Sequence, residues 1–305
     1  MTDLKHLIKA EALRLGFSYC GVARNESLGH LRPFYTGFIQ RNGHAGMDYL
    51  ETYMEKRLNP ELVMPGTKSV IALLMNYYPP EALPETDNLI ISKHACGDDY
   101  HKIIRHRMKE LAGFIGSVNG DARSKCFVDS GPVLEKTWAM KCGAGWQGKN
   151  TLIISKNAGS WFFIGIMLTS LELEPDAAET DHCGACDSCV SACPTGALDH
   201  PYQLDIVRCI SFQTIENREE IPENIKGKLS DRIYGCDICQ DVCPYNRFAS
   251  THSVPEFLPG ESLKRMRKND WLALTADDFE LIFRDSPVRR LGYQRLMRNI
   301  RAGSV

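Results

Sequence analysis

Near the middle of the chain, four cysteines and a proline follow one another in the spacing C-x2-C-x2-C-x3-C-P. They are Cys183, Cys186, Cys189, Cys193 and Pro194. This spacing is a ligand pattern for 4Fe-4S clusters, because closely spaced thiolates can reach several corners of one iron-sulfur cube. A chain that carries the pattern must fold a loop around an inorganic cluster. Its chemistry therefore involves electron transfer.

A second, incomplete copy of the pattern spans residues 236–243 and again ends in a proline. It aligns with the first copy without a gap, but Ile233 stands where the first copy has Cys183. A 4Fe-4S cluster needs four ligands, so the missing thiolate must come from elsewhere in the chain. Cys209, which lies between the two copies, is the obvious candidate.

When two such clusters occur together, the fourth cysteine of each run binds the other cluster. This crossover predicts two ligand sets, Cys183, Cys186, Cys189 and Cys243 for the first cluster and Cys193, Cys209, Cys236 and Cys239 for the second. A pair of zinc sites is the alternative, because paired C-x2-C is also zinc spacing, although three cysteines at successive gaps before C-P fit a cube better. Disulfides are disfavoured, since 305 residues can bury a core without cross-links.

The composition is ordinary for a soluble globular protein, with 43% hydrophobic and 24% charged residues, and the length allows about two domains. The first residues lack the apolar core of a signal peptide, and no apolar run is long enough to span a bilayer. We therefore expect a cytoplasmic protein without a membrane partner. A net charge of -2 argues against nucleic-acid binding by bulk attraction, although local patches could still bind RNA.

The region before the acidic connector around Pro175 mixes helical and extended patterns. Apolar spacing predicts helices over residues 4–15 and 99–118 and strands over residues 17–22, 69–75, 151–155 and 161–171. The last two strands are predicted to pair as a hairpin across the turn at residues 157–159. An α+β architecture follows from this mixture.

The C-terminal segment is basic, with no acidic residue after Pro287. Apolar side chains at i, i+3, i+4 and i+7 predict a helix, and they are Tyr293, Leu296, Met297 and Ile300. Arg295 and Arg298 are then turned away from the apolar stripe. These cations form either a solvated helix face or a site for RNA phosphates, and the sequence leaves both interpretations open.

Three further motifs carry a resemblance to a known family. They are VDSGPVLEK at residues 128–136, GAGWQGKN at residues 143–150, and Asp99-Tyr100-His101. Together with the two cysteine runs, and in the same order across nearly the whole chain, these motifs resemble the epoxyqueuosine reductase family.

The resemblance implies an α+β fold in which a nitroreductase-like cobalamin-binding domain is joined to a ferredoxin-like domain with two 4Fe-4S clusters. The expected boundaries are residues 1–175 for the first domain, 176–250 for the second and 251–305 for a basic, helical C-terminal segment. The implied reaction is reduction of epoxyqueuosine to queuosine in the tRNA anticodon loop, the last step of queuosine biosynthesis. Electrons would pass from the clusters to cobalamin and then to the epoxide. We expect a monomer whose electron donor the sequence does not name.

Opening an epoxide leaves an oxygen anion that must be protonated, and a carboxylic acid in a partly dry pocket can hold a proton near neutral pH. Asp129, which precedes a Ser-Gly-Pro turn, is the predicted general acid. The alternative is an ordinary turn aspartate whose side chain hydrogen-bonds its own backbone.

The resemblance also implies contacts with the cobalamin. It places Arg57 and Cys96 near this cofactor, and Ser211 and Gln213 are predicted to contact it from the cluster side. Lys149, in a glycine-rich turn, is predicted to approach a phosphate or ribose. Each of these residues also has an ordinary structural alternative, which is a surface cation, a buried small hydrophobic side chain or a helix cap.

Two other functions compete with the implied one. A corrinoid iron-sulfur reductase of a small molecule, similar to reductive dehalogenases, usually carries a twin-arginine export signal, and the sequence shows none. A ferredoxin-type electron-transfer protein would bind clusters but no cobalamin, and it would leave tRNA nucleosides unchanged.

Overall fold

The structure is a computed structural model that describes residues 4–41 and 43–304. Its α-helices are α1 (Leu4–Arg14), α2 (Arg32–Gln40), α3 (Met54–Leu58), α4 (Tyr100–Val118), α5 (Glu135–Lys141), α6 (Ser188–Ser191), α7 (Ile210–Ile215), α8 (Glu223–Lys226), α9 (Ile238–Asp241), α10 (Glu261–Arg265), α11 (Lys268–Leu272), α12 (Ala276–Phe283) and α13 (Tyr293–Gly303). Its strands are β1 (Tyr19–Arg24), β2 (Ser69–Asn76), β3 (Ile90–Ile91), β4 (Ser124–Phe127), β5 (Trp146–Gln147), β6 (Ile153–Ile154), β7 (Phe162–Thr169) and β8 (Arg232–Tyr234). Short 3-10 helices cover Gly29–Leu31, Asp48–Leu50, Pro60–Leu62, Lys93–Ala95, Ile206–Arg208, Pro244–Phe248, Pro255–Phe257 and Pro287–Leu291. Within the described ranges, no helix is long and apolar enough to cross a bilayer.

An antiparallel sheet of order β1-β2-β7-β4 forms the centre of the first region. The predicted buried strand at residues 69–75 is confirmed as β2, whose neighbours are β1 and β7. Successive side chains of a strand point to opposite faces. Ile71 and Leu73 accordingly pack in the core with α1 and α4, whereas Val70 and Ala72 pack in the core with α5. Both faces of the sheet are therefore covered, which explains the uninterrupted apolar run.

The two predicted long helices are confirmed as α1 and α4. Asp99 caps α4, because its carboxylate accepts a hydrogen bond from the backbone N–H of His101 at 3.0 Å. The apolar face of α4 packs on the sheet through Ile104 and Met108. α1 ends before Gly16, whose φ of +88° is the left-handed conformation that favours glycine at a helix end.

The predicted hairpin between residues 151–155 and 161–171 is wrong. β6 pairs with β5, and β7 pairs with β2 and β4 instead. Around the turn, only an isolated bridge between Ser155 and Gly159 remains. The pairing of β7 with β2 involves eight residue pairs, whereas the two residues of β6 could satisfy few of its backbone groups. The longer partner therefore decides the sheet order.

A further core joins the cysteine region to both flanking regions. β3 pairs in parallel with β8, which directly precedes the second cysteine run. Ile91 and Ile233 pack in this core with apolar side chains from the last helices, including Phe279, Leu296 and Ile300. It therefore contains residues from all three predicted segments, and it holds the second cysteine run against the rest of the chain.

The predicted C-terminal helix is confirmed as α13, but Arg295 and Arg298 do not form a solvated face. Arg295 donates to the backbone carbonyls of Ile215 and Asn217, and Arg298 donates to those of Gln213 and Asn217 at 2.9 and 3.0 Å. The last carbonyls of α7 lack partners within the helix and carry the negative end of its dipole. α13 therefore holds the C-terminal end of α7 with two cations.

We predict that Arg298→Ala lowers the stability of the protein by about 2 kcal/mol or more, because hydrogen bonds from a charged donor contribute about 1.5–3 kcal/mol. The measurement is the thermal unfolding midpoint of the cluster-loaded protein. Arg301→Ala, at an exposed position of the same helix, is the matched control and should cost less than about 0.5 kcal/mol. Equal midpoints for the two variants would show that the carbonyl contacts of Arg298 do not stabilise the fold.

Candidate active site and cysteine loops

The seven cysteines of the two runs, together with Cys209, line two separate cavities. One cavity is lined by Cys183, Cys186, Cys189 and Cys243, and the other by Cys193, Cys209, Cys236 and Cys239. The structure thus brings together the same two sets that the crossover spacing predicts. Within the described ranges, no three His, Cys, Asp or Glu side chains are arranged to hold a single metal ion.

The two copies of the repeat have the same local structure. Each C-x2-C pair leads into a single helical turn, α6 in the first copy and α9 in the second, and the two turns pack against each other. Burial raises the pKa of Cys236 to about 11 and that of Cys239 well above its ordinary value. Buried thiols of this kind become ligands when a bound metal centre stabilises their thiolate form.

Lys149 lies at the first cysteine loop. Its ammonium donates to the backbone carbonyls of Gly184 at 2.7 Å and Cys186 at 2.8 Å, and its side chain lines the first cysteine cavity. The structure does not bring it into the cavity that contains Asp129. Its cation is instead used to hold the backbone of the loop that carries the first three cysteines.

A buried polar network holds the second cysteine loop against the start of β7. The side-chain amide of Gln240 donates to the Tyr77 hydroxyl at 3.2 Å and to the Ser160 carbonyl at 3.1 Å. Asn246 accepts from the backbone N–H of Ser160 at 2.6 Å and donates to the backbone carbonyl of Gln240. These contacts satisfy buried polar groups on both sides, so the loop and the sheet are held in one orientation.

Two adjoining cavities lie between Asp129 and the second set of cysteines. Their volumes are about 370 and 340 Å³, and they share Tyr77, Lys136, Leu152, Phe162, Phe163 and Gln240 in their walls. Asp129 and Glu135 line the first, whereas the second is lined by the four cysteines of the second set. A continuous, largely apolar and aromatic wall therefore connects a carboxylate to a cysteine cluster site.

Asp129 is held at the edge of the first cavity by its neighbours on α4. It has a φ of +56°, a left-handed conformation that aspartate adopts more readily than most residues. The Tyr100 hydroxyl donates to its carboxylate, and Nε2 of His101 lies 3.5 Å from the same oxygen. Burial, followed by the charge of Asp129, raises the pKa of Tyr100, so the phenol keeps its proton and donates it to the hydrogen bond. The Asp129 side chain remains 53% exposed, so it is accessible to a ligand.

Glu135 was not predicted as a site residue from the sequence. It is more buried than Asp129, the other carboxylate of this cavity. It lines the same cavity as Asp129, and its Oε1 atom is buried without a hydrogen-bond partner among the described residues. Burial, and then the charge of Asp129, raises the pKa of Glu135 well above its ordinary value. The only sequence signal is its place six residues after Asp129 in the same motif. An acidic residue at the start of a helix is otherwise expected for electrostatic reasons alone.

Lys136, the next residue, was also not predicted as a site residue from the sequence. It lines both cavities and donates to the Thr151 carbonyl at 3.0 Å. The surrounding protein desolvates its ammonium and lowers its pKa, although the side chain remains accessible from the cavity. Lys136 is thus a cation on the wall that joins Asp129 to the second cysteine set.

The remaining predicted contacts divide into two groups. Ser211 lines the second cavity, beside Cys209. Gln213 is buried, and its amide donates to the Val207 carbonyl at 2.6 Å rather than facing either cavity. Cys96 is also buried, and its thiol contacts the Ser92 carbonyl at 3.6 Å. It borders two other cavities, which lie on the side of the last helices and of residues 79–85.

Arg57 lies on α3 and donates to the Tyr49 carbonyl at 3.0 Å. Its positive charge opposes the rise in the pKa of Glu135 and the rise in the pKa of Tyr49. Arg57 therefore belongs to the surroundings of the Asp129 cavity, although its side chain does not form part of the cavity wall.

Comparison with known proteins agrees with this geometry. The epoxyqueuosine reductase of Cellulophaga algicola is 44% identical over 98% of this chain and 98% of its own length. The chain belongs to the epoxyqueuosine reductase family. The family model described as Epoxyqueuosine reductase QueG, DUF1730, matches residues 57–130, and the model of a 4Fe-4S double cluster binding domain matches residues 182–246.

Other epoxyqueuosine reductases are also similar over 98% of this chain. The Escherichia coli K12 enzyme is 36% identical over 98% of this chain and 80% of its own length. A crystal structure of epoxyqueuosine reductase with an epoxyqueuosine-modified tRNA-Tyr stem loop superimposes with a TM-score of 0.87 at 30% identity, covering 98% of this chain and 80% of that one. The mixed helix and sheet architecture, with its 4Fe-4S binding domain, is thus that of the family.

Proposed function

We propose that this chain reduces epoxyqueuosine to queuosine in the anticodon loop of a tRNA. The observation that carries the proposal is the similarity to epoxyqueuosine reductases over 98% of the chain, together with the connected cavities that lead from cysteines to Asp129. Reduction requires an electron path and a proton donor at the same place. The described residues supply candidates for both.

The residues present fit two 4Fe-4S clusters. Four cysteine side chains line each of two cavities, and the indole N–H of Trp146 donates to the Cys183 sulfur at 3.5 Å. We assign the clusters to the two predicted cysteine sets. When bound, such clusters carry electrons one at a time.

The cavities between Asp129 and the cysteines also fit a large planar cofactor. Their walls are mainly apolar and aromatic, with a few polar groups such as Lys136 and Ser211, which is the usual composition of a cofactor pocket. We propose that cobalamin binds here, with Ser211 on the cluster side and Arg57 at the rim. Cobalamin, when bound, supplies the low-potential reductant for the epoxide. We further propose that residues 1–175 form a nitroreductase-like cobalamin-binding domain, residues 176–250 a ferredoxin-like domain and residues 251–305 a basic helical segment.

The side chains of this chain have distinct tasks in the reaction. Removing the epoxide oxygen consumes two electrons and two protons and gives an alkene and water. Asp129 donates a proton to the oxygen as it leaves carbon, because its carboxyl is accessible from the cavity. Tyr100, stacked between His101 and Phe163, orients that carboxyl.

Nucleoside analysis of tRNA tests the proposed function in cells. A strain that lacks the gene should accumulate epoxyqueuosine, and a plasmid that carries the parent chain should restore queuosine. A plasmid that carries the Asp129→Asn variant is the matched control and should not restore it. Unchanged queuosine in the deletion strain would exclude the proposal and favour an electron-transfer protein or a reductase of another substrate.

A further inference from the structure

Three exposed aromatic side chains lie in the segment between β1 and β2, on α2 and just before α3. Phe34, Tyr49 and Tyr53 are 64%, 55% and 59% exposed, and we call them the aromatic rim. Among the described residues, the other exposed Phe and Tyr side chains are Tyr202 and Phe248, and every Trp is buried. Single exposed apolar side chains are ordinary, but a concentration of rings in one short segment is typical of an interaction surface.

The aromatic rim borders the cavity that contains Asp129. Tyr35, the neighbour of Phe34, lines this cavity, and the two rings pack edge to face with centroids 5.5 Å apart. α2 is tied to α3 by a bidentate ion pair between Arg32 and Glu55, at 2.6 and 2.7 Å. The two helices that carry and flank the rim are therefore joined beside the proposed reaction site.

Nearby side chains hold the backbone around the two tyrosines. The Arg57 guanidinium donates to the carbonyls of Tyr49 at 3.0 Å and Thr52 at 3.4 Å. Tyr53 has a φ of +64°, a left-handed conformation that is unusual for a bulky residue and is retained mainly at functional sites. The Lys56 ammonium lies 4.9 Å from the centroid of the Tyr53 ring. An ordered backbone thus presents these rings to solvent, which lowers the entropy cost of binding.

A base in an RNA loop must leave its stack before an enzyme can act on it. The bases beside it then lose a stacking partner. An aromatic side chain can replace that partner, because every base has a flat π face. When the modified base reaches Asp129, its neighbours in the loop lie at the edge of the cavity, which is where the structure places the aromatic rim.

We infer that the aromatic rim is a stacking platform for the unpaired loop nucleotides on either side of the epoxyqueuosine base. This rests on the proposed function and adds the residues that position its RNA substrate. Arg32 and Arg57 are already bound to Glu55 and to backbone carbonyls, so the rings are the groups left for contact. The platform therefore recognises a single-stranded loop by its bases, and its contribution to affinity depends little on salt.

The test is binding of an anticodon stem loop that carries epoxyqueuosine to the protein loaded with clusters and cobalamin. Tyr49→Ala and Tyr53→Ala should each raise the Kd about tenfold, the scale of one base-aromatic stack, whereas Tyr49→Phe and Tyr53→Phe should bind as the parent does. The loss should be the same at low and high salt, because a ring contact releases no counterions. Phe248→Ala removes a ring that is 54% exposed outside the aromatic rim, and this matched control should keep parental affinity.

Stem loops that lack one base give a second readout. Removal of the base on one side of epoxyqueuosine should weaken binding to the parent, and the alanine variants should then lose little more, because the stack is already absent. Parental affinity of both alanine variants, equal losses in the alanine and phenylalanine variants, or full additivity with base removal on both sides would overturn the inference.

Two further outcomes have separate meanings. If the parent is a dimer that the alanine variants dissociate, with RNA affinity unchanged, the aromatic rim binds a second copy of the chain and the inference is wrong. Failure of the parent itself to bind or convert the modified RNA would instead overturn the proposed function.

Discussion

Asp129→Asn should lower the rate of epoxyqueuosine reduction by about 10²–10⁴-fold, the usual contribution of a general acid, while both clusters and tRNA binding are retained. Asparagine has no proton to give to the leaving oxygen. It can still accept the hydrogen bond from Tyr100, and it tolerates the left-handed backbone conformation at this position. The loss should therefore appear in the rate of a single turnover and not in substrate affinity.

The control for this variant is Asp121→Asn. Asp121 is an exposed aspartate that lies shortly before β4 in the sequence. It should leave the rate within about twofold of the parent, as expected for a surface position. Full activity of Asp129→Asn would remove the proton-donor role and leave Asp129 as a turn residue. Loss of iron or of tRNA binding in that variant would also argue against a purely chemical role.

Cys209→Ser should remove the second cluster and leave the first in place. The iron content should fall from about eight to about four per chain, with about half of the visible absorbance lost, because each 4Fe-4S cluster carries four irons. The physical reason is that Ile233 occupies the position of the missing cysteine and is buried in a core, so it offers no ligand. Reduction should stop, since electrons would no longer reach the cavity that is lined by the second cysteine set.

Cys126→Ser is the matched control for this experiment. Cys126 lies on β4, outside both cysteine cavities, and its thiol contacts the Met108 carbonyl. This variant should keep about eight irons. If Cys209→Ser also keeps eight, the fourth ligand of the second cluster lies elsewhere. A loss of all iron would instead show that the first cluster does not assemble without the second.

Much of the fold could be predicted because the relevant signals are local. The apolar run of β2 and the spacing of apolar residues on α4 report burial directly, and both elements occur where expected. The partner of β7 could not be predicted in this way. Strand order depends on which distant strand offers the longest ladder, and the turn at residues 157–159 gives a misleading local signal.

The candidate site could likewise be predicted only in part. Cysteine spacing is local, so the two sets could be assigned before any coordinates were known. The burial of Glu135 depends on helix and sheet packing that its own neighbours in sequence do not encode, so it reads as an ordinary acid at a helix start. Gln213 and Lys149 show the opposite case. The side-chain N–H groups of both residues donate to backbone carbonyls, and nothing in the nearby sequence indicates this.

Turnover by the purified chain tests the central claim most directly. The protein is loaded with both clusters and cobalamin, mixed with a low-potential chemical reductant and tRNA that carries epoxyqueuosine, and the tRNA is then digested for nucleoside mass spectrometry. Queuosine should appear in proportion to time and protein, and omission of cobalamin should prevent it. A fully loaded protein that binds the tRNA but leaves all epoxyqueuosine unreduced would contradict the claim.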